Sequence, residues 1–236
     1  MSMTETAEAF SLNETVIRDI FAHAKPLGHR EDVKNLNLGF GFLYYGLVRS
    51  LRPKHVLVIG SGYGFSVATL ALAVKDNGVG QVTFIDPSYS LIRNGPFKTV
   101  GGQNNWSDPS KVRERFARFG IDRLVTHHKT TAEQFFAGYK DTHLPPIDFA
   151  FIDGNHMYKH VKHDFLQTLK HSKKNTYILL HDTNIYVREM LRHSGVKRWL
   201  KALRSEKAAF EFVDLPFSSG VAIVRVIDPK VWEQVQ

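Results

Sequence analysis

Apolar residues along the chain fall into two periods. Short runs rich in Val, Ile and Phe occur at His55–Gly60, Gln81–Asp86, Arg123–His128, Ile147–Asp153, Thr176–Asp182, Phe210–Pro216 and Val221–Val226. Segments with helical spacing separate the first five, which is the pattern of βαβ units and predicts a parallel sheet with helices on both faces. Only Phe217, Ser218, Ser219 and Gly220 separate the last two runs, too few for a parallel crossover, so these runs must form an antiparallel hairpin. The predicted fold is therefore α/β, with five parallel strands and a terminal antiparallel hairpin. Ahead of the sheet, Glu14–Ala24 and Phe40–Arg52 read as amphipathic helices, the second closed by Pro53. Residues 1–52 are expected to be a helical cap on the same domain as 53–236. The stretch from Arg93 to Pro109, full of Gly, Asn and Pro around Trp106, reads as a long loop that covers the cleft.

Composition narrows the function classes. The 236 residues contain no cysteine, which removes disulfides, thiolate ligands and a Cys nucleophile. Glu5, Glu8 and Glu14 stand where a leader would be basic and apolar, and no window approaches ~18 uninterrupted apolar residues, so a cytoplasmic protein without a membrane span is expected. Lys and Arg exceed Asp and Glu by eight (31 against 23), a balance that favours an anionic partner.

Candidate chemistry begins at IGSGYGFS. Gly60, Gly62 and Gly64 follow an apolar run and precede a helix, where missing side chains let a backbone approach a ligand. A dinucleotide fingerprint needs a small residue at position 65, and Phe65 stands there, so no pyrophosphate site is implied. Asp86 ends the next run, where an acid accepts hydrogen bonds from ribose hydroxyls; the plainer reading is a turn-forming Asp ahead of Pro87. These features, with FLYYGLVRSLRPKHVLVIG, FIDGNHMYKHVKHDF and ILLHDTN, resemble the class I S-adenosylmethionine-dependent methyltransferases. Among these, the chain is similar to the bacterial small-molecule O-methyltransferases of the macrocin O-methyltransferase and cephalosporin hydroxylase-like group, from roughly Gly39 to Val226. The resemblance implies a Rossmann-like methyltransferase sheet. It also implies S-adenosylmethionine held by Gly60, Ser61, Gly62, Tyr63 and Gly64, by Asp86, Pro87 and Ser88, by Thr131 and Ala132 beside the adenine, and by Asp153. One departure is Val58, where the superfamily has an acid.

AFIDGNHMYKHVKHDF holds two aspartates and three histidines. Asp153 closes the fourth strand, in the crevice where open α/β sheets bind ligands. A helix from about His156 to His171 would place Met157, Val161, Phe165 and Leu169 on its apolar face, His160 and His163 on a solvated face, and His156 on its first turn. The fifth strand ends in His181 and Asp182, next to the fourth. In the resembling metal-dependent enzymes, acids at these strand ends hold a divalent ion that acts on the substrate hydroxyl. That reading makes Asp153, His181 and Asp182 the ligands of Mg or Mn, with the imidazole ill suited to Mg. The other reading is metal-free, with His181 or His156 as general base and Asp153 beside them.

The leading expectation is methyl transfer to a hydroxyl of a small molecule. RNA methylation is an alternative, with Lys197, Arg198, Lys201, Arg204 and Lys207 as a track, against the plainer reading of a solvated helix face. Cytosine C5 chemistry lacks its Cys, and the Pro-Pro motif of amino-group methylases is out of place, since Leu144, Pro145 and Pro146 precede the fourth strand. A non-catalytic S-adenosylmethionine-binding protein is the third reading, resting on Val58 and His181. The acceptor and the oligomeric state are left open.

Overall fold

The computed structural model describes residues 10–89, 91–94, 97–100, 102, 104–185, 195–206 and 208–233. A seven-stranded sheet forms the centre. Its strands are β1 (His55–Ile59), β2 (Gln81–Ile85), β5 (Val125–His128), β6 (Ile147–Ile152), β7 (Ser172–His181), β8 (Phe210–Leu215) and β9 (Val221–Val226), in the order β5-β2-β1-β6-β7-β9-β8. The first five in that row pair in parallel, and β9 runs antiparallel between β7 and β8, as the short connection between β8 and β9 requires. All five residues of β1 are buried, because it is central and covered on both faces.

Helices α1 (Glu14–His23), α2 (Phe40–Leu51), α3 (Phe65–Asn77) and α4 (Pro109–Ala117) lie on one side, and α5 (Ala132–Ala137), α6 (Tyr158–Lys170) and α7 (Gly195–Leu203) on the other. Strand alternation divides the core accordingly. Val56 and Val58 join Ile20, Tyr44, Val48 and Leu70, whereas Leu57 and Ile59 join Phe165, Leu169 and Trp199. Val58 is thus a fully buried core residue. The two amino-terminal helices belong to the first of these layers and share its core. Gly39 starts α2 at φ 55, and a Cβ there would lie 2.0 Å from the His29 carbonyl oxygen, so this junction requires glycine.

The stretch expected as one long loop contains an antiparallel pair, β3 (Leu91–Asn94) and β4 (Phe97–Val100), and only then a turn into α4. Strands of four residues, set among glycines and asparagines, carry no readable alternation. Helix α6 starts at Tyr158, with Met157 as its N-cap, so His156 precedes the helix rather than standing on its first turn. No helix among the described residues is long and apolar enough to cross a membrane.

The register positions the site. Ile59 pairs with both Ile85 and Ile152, and Ile152 with Leu180, so Gly60, Asp86, Asp153 and His181 leave the sheet at one level. They do so on either side of β1, where the strand order reverses and a crevice opens.

Candidate active site

A cavity of about 750 Å³ fills that crevice, within the ~300–1,000 Å³ typical of small-molecule sites. Gly60, Ser61, Gly62, Tyr63, Asp86, Pro87, Thr131, Ala132, Asp153, His156, His181 and Asp182 all line it. Gly64 and Ser88 do not line it.

The three glycines do different work. Gly60 (φ 71) passes so close to β6 that a Cβ would lie 2.4 Å from the Asp153 carbonyl oxygen. Gly62 (φ 49) lines the cavity and has open space where its side chain would be. Gly64 (φ 98) abuts the indole of Trp106, 2.8 Å from a would-be Cβ. Trp106 is 1% exposed, donates Nε1–H to the Gly62 carbonyl at 3.0 Å, and is held through its own N–H by Ser88 Oγ at 3.0 Å. Expected to cover the cleft, it is instead a buried prop beneath the glycine loop.

Asp86 fulfils the turn reading and also faces the cavity. Its Oδ1 accepts the Ser88 N–H at 2.7 Å, and burial pushes its carboxyl up to about 6. Thr131 is the N-cap of α5: its hydroxyl accepts the Gln134 N–H, and the Gln134 side chain returns the bond in a capping box, so that hydroxyl is already engaged.

At the opposite end, five side chains meet. His156 Nε2 lies 3.2 Å from Asp153 Oδ1, and His156 Nδ1 3.2 Å from Asp182 Oδ2. His181 Nδ1 lies 3.2 Å from Asp153 Oδ1 and 3.3 Å from Asp182 Oδ1. Asp182 adopts φ 61, a left-handed conformation that non-glycine residues rarely hold without a local reason. The fifth side chain, His29, was not legible in the sequence. Its ring stacks on His181 at 4.2 Å, and its Nδ1 meets the Tyr44 hydroxyl at 3.0 Å. The segment that carries it is clasped by the β8–β9 turn, where Ser219 Oγ donates to the Gly28 carbonyl at 2.5 Å and lies 3.1 Å from His181 Nε2.

Electrostatics separate the imidazoles. Burial works against a charge on His181, but Asp153 and Asp182 outweigh it and raise its pKa to about 9. Burial alone would raise the Asp153 carboxyl; His181 and His156 reverse this and hold it well below the usual carboxylate range. His29 is pushed well below its ordinary value by burial and by the neighbouring His181.

His160 lies on the cavity rim rather than on a solvated face, with Nδ1 2.8 Å from Glu133 Oε1, and His163 is half-buried against Asp164. Of the basic track, Arg204 pairs with Asp214 at 2.9 Å and Arg198 lies over the Tyr158 ring, while Lys207 falls outside the described residues.

The glycine loop and the strand-end acids fall within residues 57–183, and over that span the chain matches the methyltransferase domain family. The chain belongs to that family. Solved methyltransferases share the fold. The O-methyltransferase TomG of Streptomyces achromogenes, in complex with S-adenosylmethionine, aligns with TM-score 0.64 at 16% identity over 91% of this chain and 89% of its own. An O-methyltransferase from Bacillus cereus, in complex with S-adenosylhomocysteine, aligns with TM-score 0.62 at 18% identity over 94% and 93%. An uncharacterised protein of Sinorhizobium fredii, y4gI, is 25% identical over 179 residues, which is 75% of this chain and 18% of that protein. The methyltransferase-family chain thus spans less than a fifth of the curated relative it matches.

Proposed function

We propose that the protein transfers the methyl group of S-adenosylmethionine to a hydroxyl of a small molecule. The observation that carries this reading is a single cavity with two chemically distinct ends: a glycine loop with a buried acid at one, and a buried cluster of imidazoles and carboxylates at the other. The fold neighbours TomG and the Bacillus cereus enzyme are O-methyltransferases holding the cofactor or its product, which supports the same assignment here. Asp86 would accept the ribose hydroxyls, Gly62 would let the cofactor approach the loop, and Ala132 with Pro87 would flank the adenine.

In the reaction the acceptor oxygen attacks the methyl carbon in line, the carbon–sulfur bond breaks, and the sulfonium becomes a thioether. The acceptor proton must leave. His181, held as an imidazolium between two carboxylates, is a donor and an orienting group rather than a base. His29 is neutral, and its Nε2 has no hydrogen-bond partner among the described residues, so it is the imidazole free to take that proton.

The cluster also fits a divalent ion. Donor atoms of Asp153, His156 and Asp182 lie within 4.8 Å of one another, as do those of His29, Asp153 and His181. Three imidazoles with two carboxylates suit Mn or a borderline ion better than Mg, which prefers oxygen ligands. When bound, such an ion supplies Lewis acidity to the acceptor hydroxyl. The test is transfer of labelled methyl from S-adenosylmethionine to a panel of hydroxylated small molecules, with and without chelator, against RNA as the competing acceptor. Label found only on RNA would overturn the small-molecule reading, and no transfer to any acceptor would favour a binding protein.

A further inference from the structure

One buried acid in the cavity wall has no role in the chemistry above. Asp164 sits on α6 among Val161, Phe165, Thr168 and Leu169 and is 4% exposed. Its Oδ1 meets His163 Nδ1 at 3.2 Å. Its Oδ2 has no hydrogen-bond partner among the described residues and lies beside Gly154, 3.5 Å from where a Cβ on that residue would stand. Asp164 lines the cavity, and burial pushes its carboxyl up, so an N–H donated to Oδ2 from within the cavity would stabilise its ionised form.

The surroundings indicate what would supply the donor. Ile59, Ile85 and Ala132 line the same cavity and offer apolar surface to the faces of a flat ring. Of the polar side chains nearby that also line it, the Thr131 hydroxyl caps α5, and Glu133, whose side chain is 44% exposed and so open to water, has Oε1 2.8 Å from His160. An apolar slot with one uncommitted, buried acceptor matches a heteroaromatic base that carries an exocyclic amine. We infer that Asp164 reads the 6-amino group of the cofactor's adenine, accepting an N–H through Oδ2. This inference rests on the S-adenosylmethionine reading and makes Asp164 the residue that sets nucleobase specificity.

The test is calorimetric binding of S-adenosylhomocysteine and of its inosine counterpart, in which a carbonyl oxygen replaces the amine. Sites that hydrogen-bond a ligand N–H reject analogues without it by large factors, so the wild type should prefer the adenosine compound by ~100-fold or more. Asp164→Asn, which offers both a donor and an acceptor at the same size, should bring the two ligands within ~10-fold. Asp164→Leu should weaken the adenosine compound selectively and also close the gap. Equal binding of the two ligands by wild type, or a preference unchanged in both variants, overturns the assignment of Asp164 while leaving the cofactor reading intact. Binding of neither ligand by wild type overturns the cofactor reading and this inference with it.

Discussion

The three glycines of the loop all take positive φ, yet alanine at each should have a different consequence. At Gly62 a methyl group meets no protein atom within 4 Å, so the cost is the left-handed backbone alone, about 1–2 kcal/mol. For a chain of this size that is roughly 2–8 °C in Tm. At Gly64 the same backbone cost is joined by contact with Trp106 at 2.8 Å, whose indole is pinned by its bond to the Gly62 carbonyl and whose backbone N–H is held by Ser88. Overpacking of this kind adds about 1–3 kcal/mol, for a total of about 2–5 kcal/mol. Gly60 faces backbone rather than side chain, with the Asp153 oxygen at 2.4 Å and Gly154 Cα at 2.8 Å. Relief there requires β1 and β6 to part where the Asp153 N–H bonds the Ile59 carbonyl at 2.8 Å, so Gly60→Ala should be the most destabilising. Ligand binding should separate the variants again. Gly62→Ala, at a lining residue of the cavity whose added methyl meets no protein atom, should lose S-adenosylhomocysteine affinity with little loss of Tm. Thermal unfolding with and without that ligand reads both effects. Equal Tm losses at Gly60 and Gly62, or full ligand affinity in Gly62→Ala, would refute the division of labour.

With ribose hydroxyls donating to the ionised form of Asp86 as proposed, and burial raising its pKa to about 6, cofactor affinity should climb as pH rises through 6 and level off above; calorimetry from pH 5 to 8 checks this. His181 has a folded pKa of about 9 against an ordinary 6.5, so its contribution is complete below about 6.5 and is lost as pH rises through about 9. Chelator-treated protein should therefore melt progressively lower across that window, a trend that His181→Gln should abolish. If an ion acts in the cluster, chelator should stop turnover, one divalent metal should restore it, and Asp153→Asn or Asp182→Asn should block the restoration; intact turnover in chelator leaves the base role to His29.

Legibility varied with the reach of the signal. The strands and the closing hairpin follow from local alternation and connection length, and the convergence of Asp153, His181 and Asp182 follows from neighbouring parallel strands. His29 was not legible because nothing around it forms a motif; only the clasp between Gly28 and Ser219 brings it onto His181. Loop formers around Trp106 point to a cover for the cleft, whereas packing against Phe84 and Phe116 makes it core. Helical periodicity puts His160 on a solvated face because it cannot see Glu133, which arrives from a different helix. Asp164 did carry a signal: it stands three residues past Val161 and beside Phe165, inside the apolar stripe of α6, and an acid in such a stripe needs a partner.

The central claim is that the cavity holds S-adenosylmethionine through the glycine loop and Asp86. The most direct measurement is calorimetric titration of wild type and Asp86→Ala with S-adenosylhomocysteine. The account predicts one saturable site in wild type. It also predicts a loss of about 1.5–3 kcal/mol per charged hydrogen bond removed in the variant, which is at least ~10-fold weaker binding with the fold retained. No saturable binding by wild type at ~1 mM ligand, which corresponds to about −4 kcal/mol, or equal affinity in the two proteins, would contradict it.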